Sequence, residues 1–301
     1  MSPPTRTGSD PSVGSRPPPA VGRILVGITT RNRAPFLPRA IASALDQSGV
    51  NLRLAVHDDG STDATATLAR AYAAVEWTRS DQPLGLRTVR QQWMLRTDVD
   101  YFVSLDDDAW FRHGDEVAAA LNCLEADPAL AAIAFDILSP DTPSPQPRHE
   151  PRRTTLFVGC GHMLRLRAVQ EVGGYAEMPG PYGTEEKDLC LRLADAGYGV
   201  AFLPGVHVWH EKAWGHRDQA ALHRSGVCNE MVMTARRCPL PDVLLVLPLK
   251  VVSFALFWLR QPRYRRAGWE GLRDFLRHLR VVWRSRQPVR RGTFWRFHWS
   301  R

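Results

Sequence analysis

The stretch YFVSLDDDAW, residues 101–110, runs from an apolar segment straight into three consecutive carboxylates, Asp106, Asp107 and Asp108. Like charges side by side repel, so their place in the fold has to make them tolerable. YFVSL reads as a buried strand. In open α/β sheets ligands bind beyond the carboxyl ends of strands. A triple aspartate at such an end is tolerable when a divalent cation neutralises it. In extended backbone Asp106 and Asp108 share one face and Asp107 opposes them, leaving two carboxylates for one metal. The plain alternative is a solvated turn leading into a helix cap.

Working outward, RILVGIT (23–29) reads as a buried strand. A helical stripe then falls on Phe36, Ala40, Ile41 and Leu45. NLRLAVHDDGSTD is a strand ending in a polar turn, Ala64 to Ala74 is helical, and VEWTRS is a short strand. LGLRTVRQQWML is a helix entered through Gly85, Asp115 caps a helix running to Glu125, and LAAIAFDIL is a further strand. This alternation predicts an α/β class with a mainly parallel sheet flanked by helices. Polar clusters at Thr29–Arg33, Asp58–Asp63 and Asp106–Asp108 then share one rim.

The 301 residues carry a net charge of +8, unevenly spread. From Arg260 to Arg301 there are thirteen arginines, no lysine and two acids, so the rest of the chain is mildly acidic. Before that tail, residues 243–259 (VLLVLPLKVVSFALFWL) are apolar but for Lys250. This falls short of the about 20 residues a spanning helix needs. With arginines and tryptophans following, it reads as a helix lying in an anionic membrane interface. A buried core or dimer helix is the alternative. The Pro/Ser-rich residues 1–21 read as disordered, without signal peptide or anchor. Five dispersed cysteines read as free thiols in a reducing, cytoplasmic setting. Three regions follow: 1–21, an α/β domain over 22–239, and a helical, membrane-surface appendage over 240–301. The basic tail carries no nucleic-acid module.

VGITTRNR, VHDDGSTDAT, LGLRTVRQ, VSLDDDAWF and GGYAEMPGPYGTEEKDLCLRLADAGYGVAFLPGVHVWHE occur in this order. Together they resemble the inverting family 2 glycosyltransferases with the Rossmann-like GT-A fold, over residues 22 to 240. The resemblance implies transfer of one sugar from a nucleotide-diphospho-sugar, UDP- or dTDP-linked, to an acceptor hydroxyl. It implies that Thr29, Thr30 and Arg33 border the nucleotide, that Asp58 or Asp59 meets the base, and that Arg87 and Arg90 lie near the diphosphate. Where the family commonly has Arg-Asn, this chain has Arg90-Gln91. Asp106 and Asp107 would meet the donor, with Asp108, Asp106 and His210 around Mn²⁺ or Mg²⁺, and His207 the alternative histidine.

The resemblance further implies that Glu186, or its neighbour Glu185, is the general base, where the family has Glu-Asp. Leu189, Leu193 and Ala196 form that helix's buried stripe, Asp188 and Arg192 a structural pair, and Gly161 with the Gly173-Gly174-Tyr175 turn the acceptor side. His162 has no assigned role. The W-H-E ending resembles bacterial rhamnosyltransferase-like enzymes of cell-surface polymers, so a glycan or lipid-linked acceptor is expected. A sugar-1-phosphate nucleotidyltransferase and an inactive membrane adaptor of the same fold are the rivals.

Overall fold

The computed structural model describes residues 23–142, 144–212 and 218–299. The N-terminal stretch read as disordered lies outside them. Nine strands form one sheet in the order β3-β2-β1-β4-β8-β6-β9-β5, with β7 also on β9. Their bounds are β1 Ile24–Thr30, β2 Leu52–Asp59, β3 Glu76–Ser80, β4 Tyr101–Asp106, β5 Ala109–Phe111, β6 Leu130–Leu138, β7 Arg152–Thr154, β8 Gly161–Arg165 and β9 Gly199–His210. The half β3-β2-β1-β4 is parallel throughout. Beyond β4 the sheet is mixed, because β8 runs antiparallel to both β4 and β6.

Helices α1 (Leu37–Leu45), α2 (Leu86–Met94), α3 (Glu116–Ala126), α4 (Leu166–Glu171) and α5 (Glu185–Asp195) flank the sheet. The chain ends in α6 (Gln219–Arg237), α7 (Val243–Arg260), α8 (Arg265–Arg284) and α9 (Arg291–Trp299). Two apolar clusters form on the sheet, one including Val26, Ile28, Leu37 and Ile41, the other including Phe102, Trp93 and Leu189. A third, with Met231, Val232, Trp258 and Phe275, joins α6, α7 and α8.

Several local expectations shift. The α1 stripe is Leu37, Ala40, Ile41 and Ala44; Leu45 is exposed, because the helix begins only after Phe36, with a proline in its first turn. Residues 64–71 form a 3₁₀ helix capped by Asp63, whose side chain accepts the Thr65 N–H. Asp115 precedes α3 but does not cap it. Its carboxylate pairs with Arg148 at 2.8 Å, and Glu116 instead accepts the N–H groups of Arg112 and His113. On α5, Leu189 and Leu193 are buried with Cys190 and Leu191, while Ala196 sits past the helix end and is exposed.

The helix α5 is tied to the C-terminal helices by buried ion pairs. Asp188 accepts from Arg192 and, at 2.7 Å, from Arg237 of α6. Glu230 of α6 bonds both Lys187 of α5 and Lys250 of α7. A buried carboxylate held this way is costly to orphan. Burial raises the Glu230 pKa, but the two lysines outweigh it and hold the carboxyl near 2.

Candidate active site

Parallel register sets the strand ends side by side. Thr30 of β1 pairs with Asp58 of β2, and Thr29 pairs with Asp106 of β4. Above this rim is a cleft of about 440 Å³, lined by Thr29, Thr30, Arg33, Asp59, Asp106 and Asp107 from the sheet side. Pro83 to Leu86 and Pro181-Tyr182 close its flanks. A larger hollow, about 620 Å³, lies among Tyr101, Glu125, Arg165 and Tyr198 at the opposite ends of the central strands, away from these groups.

The two aspartates of the Asp-Asp-Gly turn separate by function. Asp58 is fully buried, ion-paired with Arg79, and accepts the Ser61 N–H. Asp59 lines the cleft, where it accepts the N–H groups of Leu84 and Gly85. Asp58 therefore shapes the loop from behind, and Asp59 faces the cleft. Gly60 has φ +76°, a conformation glycine adopts without strain.

After β4 the chain turns through Asp107 and Asp108 into β5, which pairs with the end of β9 so that Ala109 faces His210. Asp106, Asp108 and His210 then bring ligand atoms within 4.8 Å of one another. His210 Nε2 lies 3.2 Å from Asp108 Oδ1, yet this buried nitrogen makes no hydrogen bond. Buried polar atoms are nearly always partnered. A nitrogen left so, between two carboxylates, fits a divalent cation as its missing partner. Asp107 turns the other way, 3.9 Å from Arg33 Nε. Burial first, then Asp108 and Asp106, push its carboxyl up to about 7.

Arg90 is not on a solvated face. It is 2% exposed, bonds Asp106 through Nη2, and places Nη1 3.9 Å from Glu186 Oε1. One guanidinium thus stands between the metal-type carboxylates and the first turn of α5. Burial drives the Glu186 carboxyl up to about 7, with Glu185 adding and Arg90 opposing. Glu185 is buried and its Oε2 has no hydrogen-bond partner; desolvation pushes its pKa up too. Of the two, Glu186 is the one beside Arg90, with its side chain 19% exposed.

Residues beyond the sequence motifs hold this arrangement. Gly159 lies against Glu186, where a Cβ would fall 2.5 Å from Oε1 and 3.1 Å from Arg90 Nη1. Gly183 and Thr184 both have positive φ, 93° and 82°, immediately before α5. For a β-branched residue that conformation is strained, by about 1–3 kcal/mol. Asn229 of α6 overdetermines it, donating to the carbonyls of Gly180, Tyr182 and Gly183 and accepting the Gly180 N–H. Ser225 adds bonds to Tyr182 in both directions. A Gly-Thr-Glu-Glu run hints at a helix start, but nothing local in the sequence points to Asn229, some forty residues away.

Other candidates fall elsewhere. Arg87 donates to the carbonyls of Gly180 and Met178 and so clamps the same loop. Gln91 turns to the Gly173-Gly174-Tyr175 turn, donating to Gly173 O and accepting the Tyr175 N–H. A Cβ at Gly174 would lie 2.2 Å from Gln91 Oε1. Gly161 packs inside the sheet against Ile137 and Val208, and His207 bonds Gln146 O with Asp136 nearby. His162 is buried, stacked on Phe157 and bonded to Val158 O; burial, then Arg90, press its pKa down to about 3.

Comparison with known proteins places the fold. Residues 25–173 match the model of Glycosyl transferase family 2. Two pre-mycofactocin glycosyltransferases, from two strains of Mycobacterium tuberculosis, are each 27% identical over 228 residues, 68% of this chain and 47% of theirs. The chain thus spans about half the length of these relatives. Among solved structures, a mannosyltransferase from Pyrobaculum calidifontis in complex with GDP-Man and Mn²⁺ superposes with TM-score 0.57 at 17% identity, covering 86% of this chain and 87% of that one. S. aureus TarS with UDP-GlcNAc gives TM-score 0.60 at 11% identity, covering 87% and 91%. The fold is the GT-A fold, and residues 25–173 carry the match to glycosyl transferase family 2.

Proposed function

We propose that the protein is a metal-dependent, inverting glycosyltransferase that moves one sugar from a UDP- or dTDP-linked donor to an acceptor hydroxyl. The observation that carries this is that Asp106, which lines the cleft and clusters with Asp108 and His210, is linked through the Arg90 guanidinium to Glu186. In this reading the nucleoside lies along Thr29, Thr30, Arg33 and Asp59, and the diphosphate reaches toward Asp106. Asp106, Asp108 and His210 would hold Mn²⁺ or Mg²⁺, which when bound offsets the charge of the departing diphosphate. The acceptor oxygen attacks the anomeric carbon from the face opposite that diphosphate. The new C–O bond forms as the bond to phosphate breaks, the electron pair leaves with the diphosphate, and the hydroxyl proton passes to Glu186. One displacement inverts the anomeric configuration.

A carboxyl whose proton affinity is raised toward neutrality suits a base that must take up a proton at ordinary pH. The Arg90 guanidinium beside Glu186 opposes that rise and favours the carboxylate. The relatives named as pre-mycofactocin glycosyltransferases and the neighbours carrying GDP-Man and UDP-GlcNAc support the class of donor. We assign the acceptor to a lipid-linked or cell-surface glycan precursor, met one sugar at a time at the inner face of the cell membrane.

The test is a panel of UDP-, dTDP- and GDP-sugars with Mn²⁺, followed by nucleotide release and by NMR of the product's anomeric configuration. Release of nucleoside diphosphate with inversion is the expected result. Turnover that requires a nucleoside triphosphate and a sugar-1-phosphate would instead identify a nucleotidyltransferase, and binding without turnover an inactive adaptor.

A further inference from the structure

We infer that the outer faces of α7 and α8 form one docking surface for an anionic lipid bilayer, with α7 lying in the interface and not crossing it. This deepens the membrane assignment above and rests on it for its purpose, though not for its physics. In α7 only Val243 and Trp258 of 18 residues are buried. Leu245, Leu249, Val252, Leu256 and Leu259 recur at helical spacing on one side and are 53–74% exposed. A contiguous apolar patch of this kind marks an interaction site.

The other side of α7 is fastened to the protein. Lys250 bonds Glu230, the Trp258 indole N–H donates to His223 at 2.8 Å, and Trp258 packs so tightly on α8 that a Cβ at Gly268 would lie 2.1 Å from its ring. A helix held along one flank by a folded domain cannot be ringed by lipid. By length and composition its 18 residues could cross a membrane, so it is the fastened flank that keeps α7 at the surface. The lone lysine of the apolar run is thereby accounted for: its charge is directed inward.

The flanking helix supplies the chemistry of a headgroup layer. Trp269 of α8 packs on Trp258, and Arg273, Leu276, Arg280 and Trp283 follow it at helical spacing, all exposed. Among the described residues no carboxylate lies within salt-bridge distance of Arg273, Arg280 or Arg284. Tryptophan and arginine beside an apolar helix suit an anionic interface. A second copy of the chain fits worse, because a two-fold contact on this face would bring like arginine rows together.

The experiment is flotation of the full chain with phosphatidylcholine vesicles, with and without phosphatidylglycerol, alongside quenching of its tryptophans by brominated lipid. The protein should float with the anionic vesicles, lose binding as salt rises, and be quenched. The combined variant Leu245→Glu, Leu249→Glu, Leu256→Glu should partition at least about a thousandfold more weakly, each leucine withdrawn from lipid being worth about tenfold. A separate variant, Arg273→Glu with Arg280→Glu, should lose only the preference for anionic vesicles. No flotation by a wild type that still binds nucleotide with Mn²⁺ overturns the docking surface and leaves the transferase reading intact. A soluble dimer that Leu249→Glu dissolves also overturns it. Flotation without nucleotide binding would uphold the surface and sink the transferase reading.

Discussion

Gly159→Ala probes the link between Glu186, the proposed base, and its surroundings. A Cβ there would lie 2.5 Å from Glu186 Oε1, against ordinary contact from 3.4 Å upward, so one side must yield by about 0.9 Å. Arg90, 3.1 Å away on the other flank and 2% exposed, has nowhere to go. Glu186, with 19% of its side chain exposed, is the group that moves. The glycine backbone is outside the left-handed region, so alanine brings no backbone strain of its own. Displacement of a catalytic group by about 1 Å costs about 10²-fold in rate. The assay is release of nucleoside diphosphate from the donor at saturating Mn²⁺, with nucleotide affinity measured on the same sample. We expect kcat to fall about a hundredfold while nucleotide affinity stays unchanged, since Gly159 does not line the donor cleft. Full turnover by a folded Gly159→Ala protein would refute the placement of Glu186 as base.

Other outcomes follow from the same geometry. Glu186→Gln should lower kcat by about 10²–10⁴-fold with nucleotide binding intact, as for loss of a general base; Glu185→Gln should cost less, and the reverse order would exchange their roles. Because the Glu186 pKa is raised and the active form is the carboxylate, kcat should rise with pH through about 7 and level off above it; a flat profile between pH 5 and 8, as an order-of-magnitude window around the ordinary and raised values, would contradict this. Asn229→Ala removes the anchor of the strained Gly183-Thr184 entry to α5, and should lower stability by about 1–3 kcal/mol per buried group left unpaired. Thermal melting reads that loss, and an unchanged melting temperature would count against the strain argument.

Much of the parallel half of the sheet was legible because β1, β2 and β4 are buried on both faces, and such strands write unbroken apolar runs such as ILVGIT and YFVSL. In the mixed half only β6, LAAIAFDIL, was legible. β8 is five residues long and contains Gly161 and His162, while β9 is broken by Pro204 and Gly205 near its bulge. The reach of Asp106, Asp108 and His210 toward one point depends on β5 pairing with β9, a contact about a hundred residues apart in sequence that no local period encodes. Arg90 was legible as a basic residue near the rim, but its burial between Asp106 and Glu186 is set by how α2 and α5 pack. Gly159 and Asn229 act entirely through such packing, which is why the motifs passed over them.

The most direct test of the central claim is calorimetric titration of UDP, dTDP and GDP into the protein with and without Mn²⁺, on wild type, Asp108→Ala and His210→Ala. The account predicts binding of one diphosphate that requires Mn²⁺, is lost in Asp108→Ala and is weakened in His210→Ala. Equal binding with and without the metal, or binding unchanged in Asp108→Ala, would contradict it.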